Sequence, residues 1–217
     1  MDIRSDKPPL FDDAFRAALD DLMTWRRDVR RFKRDPLPPG ELEALLDAAH
    51  KAPSVGNSQP WRFVLVEEAA RRAAVRADFQ RCNAAALTGY DGERAKLYAS
   101  LKLAGLDEAP AHLAVFADLG TDQGHGLGRR TMPETLEYSA VGAVILLWLA
   151  ARAAGIGVGW LSILDPAAVG HALETPENWR LIAYLCIGYP AEEHSAPELE
   201  RAGWQARETW RDLLVRR

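Results

Sequence analysis

Apolar residues recur along this chain in two periods, and the switches between them mark out helices and strands. The stretch from about Phe11 to Trp25 predicts an amphipathic helix. After a proline-rich opening, Leu42, Leu45, Leu46 and Ala49 fall at helical spacing, and Pro53 stops that second helix. The small-residue turn "SVGNSQP" leads into "WRFVLVE", which alternates as a strand does. A helical stretch follows to about Leu87. The charged, glycine-broken segment from Thr88 to Pro110 reads as a helical excursion from the core. "AHLAVFAD", "GIGVGWLSIL" and "WRLIAYLCIGYP" predict three further strands, and "DPAAVGHALE" a short helix. Before the "GIGVGWLSIL" strand, a loop with Gly120, Gly124, Gly126 and Gly128 leads into a helix from Pro133 to Ala154.

That last helix contains the longest uncharged run, "SAVGAVILLWLAA", Ser139 to Ala151. Thirteen residues fall short of the roughly 20 that span a bilayer. The expectation is a helix buried on all sides, either the centre of the core or half of a subunit interface. Helices and strands in this order predict an α+β sandwich with one sheet. The tail from Pro197, polar but with Trp204 and Trp210, is expected to wrap around something.

Composition narrows the function classes. The 217 residues suit one domain, or one domain with arms that wrap a partner. Hydrophobic residues make up 48% and charged ones 27%, with a formal net charge of −4. That balance argues against a general binder of nucleic acid or anionic membrane. The two cysteines, Cys82 and Cys186, form no disulfide framework. With a polar N-terminus that lacks the apolar core of a signal peptide, they predict a reducing cytoplasm.

The candidate chemistry begins with what is missing. The five histidines show no HxxxH or HxH spacing, so a zinc or iron site is disfavoured. There is no phosphate-binding GKS/T loop and no GxSxG. "GIGVGW" matches a dinucleotide fingerprint only in part. What stands out is "TWRRDVRRFKR", Thr24 to Arg34, with six basic side chains around Asp28. In a net-acidic chain such a cluster is a local device for a small anion, or else a solvated charged face. Arginines fork onto phosphate oxygens. The small residues of the Ser54–Ser58 turn admit a polyol or phosphate, and glycines around Trp160 let main-chain N–H groups face a flat heterocycle. Together they fit a ligand with a phosphate at one end and a planar, electron-rich head.

Three segments, "RRDVRRF", "AAHKAPSVGNSQPWRFVLV" and "AARAAGIGVGWLSIL", resemble the flavin-binding segments of the nitroreductase superfamily in order and spacing. General members carry a serine where this chain has Asp28. The set "RRDVR", "APSVG", "SLKLAGL", "MPETL", "GVGWLSIL" and "AGWQAR" is similar to the 5,6-dimethylbenzimidazole synthases, from about Asp12 to Arg207. "NSQPW" itself looks more like a general nitroreductase.

The resemblance implies one nitroreductase-like domain over residues 1–217, with a mixed central sheet flanked by helices. It implies a lid at about 88–106, a C-terminal arm at about 197–217, and FMN at the interface of a homodimer. The implied activity is fragmentation of reduced FMN by O2 to 5,6-dimethylbenzimidazole, the lower ligand of vitamin B12, with erythrose 4-phosphate released. Reduced FMN would come from NAD(P)H through a separate flavin reductase. Arg26, Arg27 and Arg30 would hold the phosphate and the anionic side of the flavin, with Val29 among them. Ser54 would assist at the ribityl phosphate, Ser100 and Leu103 would belong to the lid, Trp160 and Ser162 would lie along the ring, and Arg207 would reach the phosphate. Asp28 and Ser162 are the implied catalytic residues. The arginines would favour the charged form of Asp28, leaving it free to take a proton from the ribityl chain. Two alternatives stay open: an NAD(P)H-dependent FMN nitroreductase or flavin reductase, and a non-catalytic flavin-binding protein.

Overall fold

In the computed structural model the described residues are 8–101 and 105–217. Helix α1 spans Asp13–Trp25, and α2 spans Glu41–Ala49. Strand β1 (Trp61–Leu65) is followed by α3 (Ala69–Leu87), α4 (Gly92–Ser100) and α5 (Gly105–Glu108). Strand β2 (Ala111–Asp118) precedes α6 (Thr135–Ala153), β3 (Gly157–Leu161), α7 (Pro166–Ala172) and β4 (Trp179–Gly188). The arm carries α8 (Glu198–Arg201) and α9 (Trp210–Leu213).

The sheet order is β1-β2-β4-β3, and every neighbouring pair is antiparallel. This corrects the expectation of a mixed sheet, for a topological reason. Strands β2 and β3 both run antiparallel to β4, so they are parallel to each other, joined by α6 as a crossover helix. Strand β4 enters between them and splits the βαβ unit, which leaves no parallel neighbours among the named strands. The parallel contact that remains among the described residues is an isolated bridge from Asp28 to Val158 on the outer edge of β3.

Strand β2 is buried on both faces, and its alternation divides the core. Leu113, Val115 and Ala117 face α2 and α6, where Ala143, Val144 and Leu147 fill the interface. Ala114 and Phe116 face the other side, packed with Val75 of α3 and Val169 of α7. Helix α6 is long and apolar enough to span a membrane by composition, but it is not buried on all sides. Its inner stripe is Leu136, Ser139, Ala140, Ala143, Val144, Leu147 and Ala151. Tyr138 and Ile145 on the outer side are 59% and 41% exposed. The uncharged run is therefore two different faces, only one of which this chain covers.

Candidate functional site

The segment after α1 runs along the outer edge of β3. The Val29 N–H donates to the Val158 carbonyl at 3.0 Å, and further on the Lys33 N–H donates to Tyr189 O at 2.8 Å. Two glycines make this approach possible. A Cβ on Gly157 would come 2.8 Å from Val29 Cγ2, and one on Gly159 would come 2.2 Å from Val29 O. The backbone can lie this close only because those side chains are absent. Asp28 consequently faces β3, and its Oδ1 accepts the Trp160 N–H at 2.8 Å.

Around Asp28 the arginines divide their contacts. Arg26 stacks over the Trp148 ring of α6 at 4.8 Å. Arg27 donates Nε to Ser195 O at 2.7 Å and Nη1 to Arg26 O at 2.8 Å, both neutral acceptors. Burial, together with Arg26 and Arg207 nearby, pulls its pKa below the ordinary value. Arg30 Nε is buried without a hydrogen-bond acceptor. Arg26, Arg27, Arg30 and Arg207 line one cavity of about 220 Å³, so the arm does bring Arg207 to the cluster. Crowded guanidiniums and an orphaned donor fit a multiply charged anion such as a phosphate monoester. The residues present therefore suit the phosphate end of FMN.

A smaller space of about 20 Å³ lies on the other side of Asp28, lined by Gly105, Leu106, Gly159, Trp160, Leu161 and Cys186 as well as Arg30. Burial pushes the Cys186 thiol up to about 12, so at neutral pH it is an uncharged wall. The Asp28 pKa is raised. Removal of the carboxylate from water is the larger cause, and the Trp160 N–H and Arg30 offset it only in part. Arg30 does favour the charged form, as expected, but burial outweighs it, and the net shift is opposite to the expected one. The side chain is still 38% exposed, open to a ligand on one side.

The other expected residues separate. Val29 holds the segment through its backbone and lines the small space. Ser162 lies one residue beyond β3, which is shorter than its sequence predicts, and its side chain is exposed. Ser54 lines none of the cavities that the arginines line, and its Oγ accepts the Gln59 N–H at 3.0 Å. Ser100, the last residue of α4, is exposed and donates to Leu97 O at 2.7 Å. Leu103 lies outside the described residues. The excursion nonetheless reaches the site: Tyr98 and Leu101 share a cavity of about 170 Å³ with Arg30 and Trp204.

Two sets of contacts were not legible in the sequence. Trp204 stands edge-on to Tyr90 at 5.3 Å and beneath Arg94 at 5.2 Å, so arm and excursion meet on one indole. Glu198 reaches back to Arg30 and Arg31. Both contacts join residues far apart in the chain, and no local pattern announces them.

Known proteins resemble both the sequence and the fold. The chain is 60% identical over 199 residues to a 5,6-dimethylbenzimidazole synthase of Rhodospirillum rubrum, covering 92% of this chain and 94% of that protein. It is 48% identical over 195 residues to one from Rhodobacter capsulatus, with 90% and 94% covered. Among solved structures, an oxidized iodotyrosine deiodinase bound to FMN and 3-iodo-L-tyrosine matches with a TM-score of 0.69 at 29% identity, over 81% of this chain and 91% of that one. A model described as the nitroreductase family matches residues 23–189. With its arginine segment seated on the β3 edge inside that matched region, the chain belongs to the nitroreductase family.

Proposed function

We propose that this protein is an oxygen-dependent enzyme that fragments reduced FMN to 5,6-dimethylbenzimidazole and releases erythrose 4-phosphate. The observation that carries this reading is Asp28. It is a carboxyl group with a raised pKa, aimed by the Trp160 N–H, at the wall between an arginine-lined cavity and a small apolar space. Family members that only exchange electrons need no such group. One that breaks carbon–carbon bonds needs a proton acceptor beside the phosphate-bearing chain. The 60% identical relative bears the matching name.

In this reading Arg26, Arg27, Arg30 and Arg207 bind the phosphate and the ring's anionic side, and Trp160 lies against the ring. Asp28 accepts a proton from the ribityl chain. The exposed Ser162 hydroxyl, with no partner in its own chain among the described residues, is oriented toward the ring edge. Bound reduced FMN supplies the electrons that react with O2. Helices α4 and α5 close over it and exclude water. A separate reductase supplies reduced FMN from NAD(P)H, in the cytoplasm.

The protein acts as a homodimer of single-domain subunits. The outer face of α6, the exposed Phe11 just ahead of α1, Phe15 and Met23 of α1, and Trp210, Leu213 and Leu214 of the arm leave a large apolar surface on one chain. A second copy covers it and brings its own Ser54 turn toward the arginines. The direct test mixes the protein with photoreduced FMN in air and looks for 5,6-dimethylbenzimidazole by mass. Simple reoxidation to FMN, with steady NADPH consumption by the protein alone, would point to an ordinary nitroreductase instead.

A further inference from the structure

Asp28 is not the only carboxylate on the arginines. Arg30 Nε lies 3.5 Å from Asp28 Oδ2 and 3.7 Å from Glu198 Oε2. Neither is a hydrogen-bond distance for a buried N–H, and that donor has no acceptor. The Arg30 side chain is 12% exposed and that of Glu198 19%, so this is not a solvated surface pair. Glu198 is held in place from behind: its other oxygen accepts from Arg31 Nη2 at 3.4 Å, and Arg31 donates Nε to Glu192 at 2.7 Å. One guanidinium thus stands between two carboxylates and closes on neither.

We propose that Glu198 is a positioning residue for proton transfer at Asp28: by competing for Arg30 it prevents a tight Arg30–Asp28 pair and leaves Asp28 able to take up and release a proton. This rests on the role given to Asp28 above. The physical basis is the opposition of two neighbouring charges. A nearby cation favours a carboxylate's ionised form, and a nearby anion disfavours it. Glu198 acts both ways at once, as a like charge and as a rival for the cation. Other groups facing Asp28 are Arg26 and Arg27 on its own segment, Arg207 from the arm, Cys186 from β4 and the Trp160 N–H from β3, with Glu108 of α5 bound farther along to the Phe32 N–H. Apart from Asp28 and Glu198 themselves, the charged groups that line the shared cavity are cations, so removing Glu198 leaves Asp28 as their counter-charge there. The neighbouring cavity that Asp28 also lines adds Arg31, Arg152, Arg201, Glu192, Glu193 and His194, all of which remain when Glu198 is replaced.

The test uses the full chain without FMN, labelled with carbon-13 at the aspartate carboxyl groups and titrated by NMR. Asp28→Asn identifies the Asp28 signal. In Glu198→Gln the Asp28 midpoint should move to lower pH, and in Glu198→Asp it should return toward that of the wild type. Glu198→Ala, with a smaller side chain, should shift it in the same direction as Glu198→Gln. Glu198 sits on a four-residue helix with no buried residue, so the core does not depend on it. With reduced FMN and O2, the acid limb of the product-yield profile should follow the same shift. An Asp28 midpoint that stays put in Glu198→Gln and Glu198→Ala overturns the inference. Failure of the wild type to make product at any pH overturns the proposed function instead, and the NMR titration still decides Glu198.

Discussion

The sheet with α6 and the rim formed by the arginine segment, excursion and arm are built on opposite principles. In the first, Leu113, Val115, Leu147 and Leu185 are almost wholly buried, and each strand is fixed by neighbours on both sides or both faces. In the second, α4, α8 and α9 bury no residue, and the excursion that carries α4 meets the arm through a few long contacts such as those of Trp204 with Tyr90 and Arg94. The difference teaches where stability and chemistry reside. The core can lose little without unfolding, whereas the rim can lose function with the fold intact.

The strongest way to break this comparison is Asp28→Asn. Product formation should fall on the order of 10²–10⁴-fold, the usual cost of losing a general base, while FMN still binds. Unfolding should not become easier at neutral pH, because a carboxyl with a raised pKa adds stability in acid and loses it as pH rises through that pKa. Full yield from this variant would remove Asp28 from the mechanism.

The core has its own titrating pair. His112 Nδ1 and the Tyr184 hydroxyl lie 2.9 Å apart between β2 and β4, and burial lowers the His112 pKa from 6.5 to about 4. A histidine that resists protonation when folded costs stability as pH falls from its unfolded to its folded pKa. Stability should therefore drop between about pH 6.5 and 4, by as much as about 3 kcal/mol. Denaturant melts of His112→Gln should be flatter across that window. An equally steep decline would place the acid-sensitive group elsewhere.

Loss of Arg207 should weaken FMN binding by about 1.5–3 kcal/mol, the worth of a hydrogen bond to a charged group, with little change in melting temperature. Fluorescence titration of Arg207→Ala measures it, and unchanged affinity would detach the arm from the phosphate. The smallest effect belongs to Trp204→Ala. It should destabilise by about 1 kcal/mol, as partly exposed substitutions do, yet lower the yield of 5,6-dimethylbenzimidazole per FMN consumed and raise peroxide release. A larger loss of stability than of yield would make Trp204 part of the core after all.

The same contrast explains what could be read beforehand. The strands, α1, α2 and α6 follow from periodicity, because burial against a sheet or helix imposes a period on the chain itself. The arginine cluster and Asp28 were also legible, being contiguous. The split βαβ topology was not, since nothing local in Trp179–Gly188 says it will pair between β2 and β3. Nor was the balance at Asp28, where burial outweighs the arginines, because desolvation depends on what the fold packs around a group. Glu198 looks like an ordinary tail residue until the arm is laid along the rim, and Trp204 marks a tail that wraps without saying what it meets. Ser162 was misplaced by one strand end, the least certain feature of any periodic pattern.

Gly159 carries a consequence for evolution in this fold. With the Val29 carbonyl oxygen 2.2 Å from where a Cβ would stand, any side chain there must push the Asp28 segment outward. The aim of the carboxylate is set by a missing atom, and missing atoms cannot be improved by small steps. Saturation libraries at position 159 should return one letter among active clones, while exposed neighbours drift freely. A change of chemistry in this scaffold is thus easier to reach by replacing Asp28 than by moving it.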